Sequence, residues 1–436
     1  MTSSGRHTWP RKPLSAVATV ISGYAFKSSE FGDSGIPVIK IKNIRVGAVD
    51  LAGADRVDEK YLSIPERYHV RVGDVLISLT GSHISQPNSV VGRVARHWAG
   101  LPDCLLNQRA GKVIIKDRNA CDPGFLYYAL SERETVRAIA LKAHGAANQA
   151  NVSPTQVESV EIPLPPITAQ RRIAGVLSAY DALMENNRRR IRVLETMARA
   201  FYRECLRDDG AESSKLGILE APFWRIISEN VAPYEGTKRY YATADVEGLT
   251  IAGEGIDYTF AERPSRAQKQ PIPFSVWFAR MKETHKIAWY SEMNAFAAAT
   301  STLSSGFAGF EARDPFHFPL LFLTLSSQEF HAQKDRFCTG ATQMSLTNEG
   351  LARIQVPVPS EAAASRMGKL TLPMLNQMLV LQLQIQNLRR TRDLLLPRLL
   401  SGQAALPHPA SPKGRGVELA SSSELRQVVA QRKSQR

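Results

Sequence analysis

Two short stretches gather the residue types that read nucleic-acid bases. In "LLNQRAGK", residues 105–112, Asn107, Gln108 and Arg109 are consecutive. Asn and Gln pair with adenine, and Arg with guanine, through two hydrogen bonds each. In "IPVIKIKNI", residues 36–44, an alternating strand turns Lys40 and Lys42 away from Ile39 and Ile41, and Asn43 at its end is a further candidate. The loop "TGSHISQPNS", residues 80–89, adds the small donors and acceptors Thr80, Ser82 and His83. Further along, "ERPSRAQKQ" (262–270) and "RMKETHK" (280–286) offer Arg263, Arg266, Lys269, Arg280, Lys282 and Lys286. Arg109 and Arg280 suit base reading; Lys282 and Lys286, flexible point charges, suit phosphates. Any one of these residues also suits a solvated strand edge or a loop cap. The two clusters together favour DNA.

The chemistry of an enzyme is not visible beside them. There is no G-x-x-x-x-G-K-[ST] phosphate loop, no G-x-G-x-x-G turn after a strand, no H-E-x-x-H and no G-x-S-x-G. Asp55, Asp58 and Glu59 are near in sequence but sit in a polar loop without a strand lysine, so no metal site is expected. His83 and His285 fall at corresponding places, each alone, which fits a surface or hydrogen-bonded histidine better than a base. Cys104, Cys121, Cys205 and Cys338 are scattered without zinc spacing and read as buried, reduced thiols of a cytoplasmic protein. No catalytic residue and no cofactor of the chain's own is expected.

Bulk properties agree with a polyanion partner. The 436 residues carry a net charge of +14, with 43% hydrophobic and 22% charged residues. That is a globular composition with an excess of cations. Neither a signal peptide nor a membrane span is expected, since no long apolar run occurs.

The elements that hold these residues repeat. "GAANQANVSPTQVESVEIPLP" at 145–165 is echoed by "GATQMSLTNEGLARIQVPVP" at 340–359, Gln343 following Gln149 by 194 positions. Each stretch then enters a long helical segment. In the first, Ile173, Leu177, Tyr180, Met184, Asn187, Ile191, Leu194, Ala198, Phe201 and Cys205 recur at alternating steps of four and three, the seam of a coiled coil. The same offset gives Met367, Thr371, Met374, Met378, Leu381, Ile385, Leu388, Arg392, Leu395 and Leu399. Each helix is about 60 Å long at 1.5 Å per residue. Burying one seam against the other is the simplest solution, with polar Asn187 fixing register. Leu183, Val193, Leu379 and Leu383 lie outside the seam and suit docking of partner proteins. The expected fold is α+β: two globular units, each followed by a long helix, the helices pairing as an antiparallel coiled coil, in an internal tandem repeat. The boundaries are 1–166 and 209–360 for the units, 167–208 and 361–402 for the helices, and 403–436 for a flexible basic tail.

At this point the chain resembles the specificity subunits of type I restriction–modification systems, over about residues 10–402. The resemblance rests on "YAFKSSEFGDSGIPVIKIKNI", "GDVLISLTGS", "LNQRAGKV", "FLYYAL" and above all "IPLPPITAQRRIAGVLSAYDALMENNRRRIRVLETMARAFYRE". The second unit is similar to a different recognition-domain type through "YYATADVEGLT", "ERPSRAQ", "SVWFARMKETHK" and "SSGFAGFE". The ending "LLLPRLLSGQ" resembles the family's, while "SEAAASRM" departs from the entry "PPITAQRRI". The resemblance implies a non-catalytic subunit whose two target-recognition domains each read half of a split site in double-stranded DNA. It implies two adenine-methylating modification subunits that bind S-adenosylmethionine. It also implies restriction subunits that use ATP and magnesium, and no membrane. A stand-alone two-headed DNA-binding protein and a coiled-coil scaffold are the rival classes.

Overall fold

A short strand, Arg11–Pro13, opens the first unit and pairs antiparallel with Glu161–Pro163, the segment just before the first long helix. The computed structural model describes residues 9–83, 85, 91–146, 149–211, 215–340 and 343–404. It falls into two compact units, one drawn from residues up to Ser178 and from Leu394 onward, the other Ala179–Asp393.

In the first unit a five-stranded sheet runs Ala18–Ser22, Ala110–Ile115, Val75–Ser78, Val94–Arg96, Gly47–Ala48. A second runs Phe31–Gly32, Arg56–Val57, Ile36–Ile39, Cys104–Leu106, His69–Val70. The apolar run 123–141 folds as two helices, α1 (Pro123–Ser131) and α2 (Arg133–Leu141). Glu132 breaks it: its backbone is extended and its carboxylate accepts from the Thr135 N–H at 3.0 Å, capping α2. Asp122 caps α1 in the same way through Phe125 N–H, with Pro123 in the first turn. The short α3 (Pro154–Glu158) is closed by a Ser153–Gln156 capping box.

The first long helix, α4, is Ile167–Asp208. Gln170 is buried at its start and ties the entry down. Its amide donates to Pro165 O at 2.8 Å and Ala120 O at 3.1 Å, and its oxygen accepts from Asp122 N–H at 2.9 Å. Ile173 and Leu177 of α4 join the core around Phe125, Leu126 and Tyr128, together with Leu399 and Leu400.

The second unit starts with the strand Lys215–Gly217, paired antiparallel with Gln355–Pro357. Its main sheet runs Trp224–Ile227, Phe307–Ala312, Ser275–Ala279, Ile287–Tyr290. A second runs Ile256–Thr259, Thr237–Tyr241, Ser301–Ser304, Ala267–Lys269. The helices are α5 (Ala295–Ala299), α6 (Phe318–Leu325), α7 (Gln328–Arg336), α8 (Asn348–Ala352) and the long α9 (Glu361–Leu400). Every residue of α6, "FPLLFLTL", is buried, against Trp289, Phe278 and Phe330 among others. The entry to α9 lacks a glutamine like Gln170. Instead Ser360 donates its hydroxyl to Asp209 at 2.7 Å, and His317 meets Glu361 at 2.7 Å.

The heptad positions of both helices are buried or half-buried throughout. Asn187 donates to Gln384 Oε1 at 3.1 Å, and Arg392, the charged residue of the second seam, pairs with Asp181 at 2.6 Å. Leu183, Val193 and Leu383 are exposed, as are Met197 and Leu394. Leu379 is not: it lies in the core of the second unit. The expectation of an exposed Leu379 fails because α9 also packs along residues 249–251. Gln382 donates to Leu249 O and Thr250 Oγ1, and Gln386 to Ile251 O. Leu379 precedes these by three and seven residues, so it faces the same way.

Candidate nucleic-acid interface

In the first unit the expected strand over 36–44 ends at Ile39, and Ile41–Asn43 forms a tight helical turn. Asn43 makes that turn. It is buried, its Oδ1 accepts from Lys40 N–H at 3.0 Å, and its Nδ2 donates to Asp50 O at 2.9 Å. Its amide is therefore spent inside the fold. Lys40 and Lys42 each place Nζ 3.0 Å from Asp55 Oδ2, and Lys40 also stands 3.4 Å over the Phe31 ring. The two ammonium groups hold the Asp55 carboxyl below the usual carboxylate range. The trio keeps a single net positive charge on a half-exposed surface.

Asn107, Gln108 and Arg109 divide. Asn107 is buried, while Gln108 and Arg109 are exposed on a turn closed by Ala110 N–H to Asn107 O at 2.9 Å. That turn is docked on Tyr24: Tyr24 N–H donates to Leu106 O, and Gln108 N–H to Tyr24 O. Gly23 is required at this approach, because a Cβ there would collide with the carbonyl oxygens of Leu106 and Asn107. Arg109 has no side-chain partner among the described residues. Thr80 is buried and donates to Asn151 Oδ1 at 2.7 Å, joining its strand to Gln149–Asn151. His83 Nδ1 faces Ser85, accepting from its N–H at 3.2 Å; Ser82 O accepts from Val91 N–H. The rest of that loop, residues 84 and 86–89, lies outside the described residues.

An aromatic cluster beside these residues was not singled out from the sequence. Tyr24 packs on Phe26, Tyr61 and Tyr68 with ring centroids 4.8, 6.3 and 5.7 Å away, and Phe31 packs on Phe26 at 5.9 Å. Lys60 and Arg67 lie over Tyr61 and Tyr68. The available signal was the pairing of each tyrosine with the cation just before it, in "KY" and "RY".

In the second unit the cations converge on one place, the turn at residues 304–306. Arg280 N–H donates to Gly306 O, and Ser305 N–H to Arg266 O. Gly306 faces the Arg266 guanidinium and the Thr243 methyl, and Lys286 Nζ donates to Thr243 O at 2.9 Å. Lys269 is bound to Ser228 O at 3.3 Å and Asn230 Oδ1 at 3.1 Å; burial first, and then Arg280 nearby, lowers its pKa. Arg280 is half-buried. Its guanidinium donates to Leu346 O and Asn348 Oδ1, both at 3.0 Å, and burial lowers its pKa. Arg266 is exposed. The partners that hold Lys269, Arg280 and Lys286 are neutral oxygens. None of these three, nor Arg266, has a carboxylate in ion-pair range among the described residues. Such a cluster leaves its charge unneutralised and available to a polyanion.

The remaining two expected residues lie apart from this turn. Arg263 packs over the Phe260 ring at 3.6 Å, and Lys282 reaches the Met344 sulfur at 3.8 Å. His285 does not stand alone, as the sequence suggested. It stacks on His331 with centroids 4.2 Å apart and lies 3.8 Å from Asp335. Among the described residues no group of three His, Cys, Asp or Glu could hold a metal, and no helix is long and apolar enough to cross a membrane.

Residues 7–196 match the family of the type I restriction modification DNA specificity domain. The chain is similar to a putative type I restriction enzyme MjaX specificity subunit of Methanocaldococcus jannaschii. The two are 25% identical over 224 residues, covering 50% of this chain and 51% of that one. It is also similar to the EcoBI specificity subunit of Escherichia coli, 25% identical over 202 residues, covering 46% and 38%. The matched part spans about half, or less, of these relatives' length. A crystal structure of a type I restriction–modification S subunit from M. genitalium superposes with a TM-score of 0.53 at 17% identity, covering 92% of this chain and 98% of that one. That likeness shows a shared fold.

Proposed function

We propose that the whole chain, whose residues 7–196 match the family of the type I restriction modification DNA specificity domain, is a sequence-specific DNA-binding specificity subunit with a bipartite target. Each unit reads one half. The reading is carried by one observation: Arg266, Lys269, Arg280 and Lys286 gather on one turn of the second unit with no carboxylate in ion-pair range among the described residues. The first unit offers Arg109 and Gln108 on an exposed turn beside Lys40 and Lys42.

A tandem repeat is supported element by element. Each unit ties its first strand to the segment just before its long helix, at Arg11–Pro13 with Glu161–Pro163 and at Lys215–Gly217 with Gln355–Pro357. Antiparallel pairing of α4 and α9 is supported by their contacts, since the earlier Asp181 meets the later Arg392 and Asn187 meets Gln384. The pair then acts as the spacer between half-sites. Exposed Leu183, Val193, Met197, Leu383 and Leu394 exceed what a solitary helix pair uses. They fit docking of two methyltransferase subunits, which bring S-adenosylmethionine and methylate adenine. Restriction subunits supply ATP- and magnesium-dependent cleavage. The chain itself positions and does not catalyse. That surplus also argues against a stand-alone DNA reader.

The test is recovery of bound sequences from a random duplex pool with the full chain, its Arg109→Ala variant and its Arg266→Ala/Lys286→Ala variant. Each variant is expected to disturb one half-site only. A base contact is worth about 1–3 kcal/mol of discrimination, and a phosphate contact lowers the salt slope by about one. Changes in both halves from one variant would contradict separate readers.

A further inference from the structure

The connection 280–286, between the strands Ser275–Ala279 and Ile287–Tyr290, is held from beneath by two adjacent residues of α7. Lys334 is fully buried. Its ammonium donates to Met281 O at 2.7 Å and Thr284 O at 3.0 Å, and pairs with Asp335 Oδ1 at 3.0 Å. All three ammonium hydrogens thus have an acceptor. The same Asp335 oxygen accepts from Glu283 N–H at 2.9 Å, and Glu283 is a non-glycine residue at φ +55°. His285 approaches the other Asp335 oxygen at 3.8 Å. So Met281, Glu283 and Thr284, within four consecutive positions, are all bound to one ion pair, and His285 lies beside it.

A buried ion pair is weak as a source of stability, because removing two charges from water offsets most of their attraction. It is strong as a geometric device. Lysine suits this place because its donors radiate from one point, whereas an arginine fork would spread them in a plane. The backbone it fixes carries Arg280, Lys282 and Lys286, and its left-handed residue would relax without an acceptor for Glu283 N–H.

We infer that Lys334 and Asp335 are positioning residues for DNA recognition: they clamp the 280–286 connection in the conformation that presents Arg280 and Lys286 at the 304–306 turn. The inference rests on the DNA-reading role proposed above, and its test separates the two. Hydrogen exchange of the 281–286 amides is followed by mass spectrometry in the full chain, its Lys334→Met variant and its Asp335→Ala variant. Asp335→Ala keeps the buried lysine and covers the case in which Lys334→Met fails to fold. The same proteins select duplexes from a random pool. Exchange is expected to rise about tenfold or more within 281–286, the factor for one lost charge-assisted hydrogen bond, with the first unit unchanged. The recovered sequence is expected to relax in one half-site and persist in the other. Unaltered exchange in both variants overturns the clamp. Faster exchange with the wild-type sequence recovered in both halves overturns its role in recognition. A wild-type chain that recovers no sequence at all overturns the DNA reading, and with it the use made of the clamp, whatever the exchange rates.

Discussion

His331 shows how much a single buried side chain can reveal. It is 5% exposed, its Nδ1 has no hydrogen-bond partner among the described residues, and it is stacked on His285. Burial, then the positive potential of His285 and Lys334, pushes its pKa down from 6.5 to about 4. The folded state therefore keeps it neutral where an unfolded histidine takes a proton. Stability from this group is complete above about 6.5 and is lost as pH falls toward 4. One proton corresponds to a slope of up to about 1.4 kcal/mol per pH unit. Urea unfolding at pH 5 and pH 7 should show a smaller loss for His331→Gln than for the wild-type chain; equal losses would contradict the assignment. At this scale the sequence was only partly legible. It identified the cations of the second unit, but not that Arg280, the expected base reader, has its guanidinium engaged by Leu346 O and Asn348. Those acceptors are 66 and 68 residues away, and residue type alone does not reveal them. Asn43 and Asn107 were hidden for a different reason: a polar side chain buried in a turn looks, in sequence, like one offered to a ligand.

The helices were the most legible elements, because a 3.5-residue period is a global signal that survives many local substitutions. The heptads named from the sequence coincide with the buried positions of α4 and α9. What the period could not show is a third packing direction. Leu379 is buried because Gln382 and Gln386 hold α9 against residues 249–251. The break at Glu132 is not legible in the sequence, because a glutamate is an uncommon cap within an apolar run. On the helix pair, Asp181 and Arg392 make the charged layer. Burial disfavours the Arg392 charge, but Asp181 and Asp393 beside it raise its pKa above the ordinary value. Asp181 is 8% exposed and Arg392 20%. Asp181→Ala should therefore cost about 2 kcal/mol, between an exposed pair and the roughly 3–5 kcal/mol of a fully buried one. Replacing both residues with leucine and methionine should restore most of that loss. A denaturant double-mutant cycle in which the single variant is no worse than the double would remove this layer from the account.

For the whole molecule, the excess of +14 charges, the twice-used strand-to-helix hand-off and the cation cluster at 304–306, which has no carboxylate in ion-pair range among the described residues, are the observations behind the proposed reader of a split DNA site. The composition pointed to the proposed polyanion partner. The site's sequence was not, because which base a side chain meets depends on how the frame presents it. The direct measurement is a map of methylated adenines in cells that make the chain with the proposed methyltransferase partner, compared with cells in which the gene for this chain is deleted. The account predicts that the deletion erases methylation at one asymmetric motif made of two short specified halves and an unspecified spacer, with all other methylation intact. Unchanged methylation, or loss of an uninterrupted motif with no spacer, would contradict it.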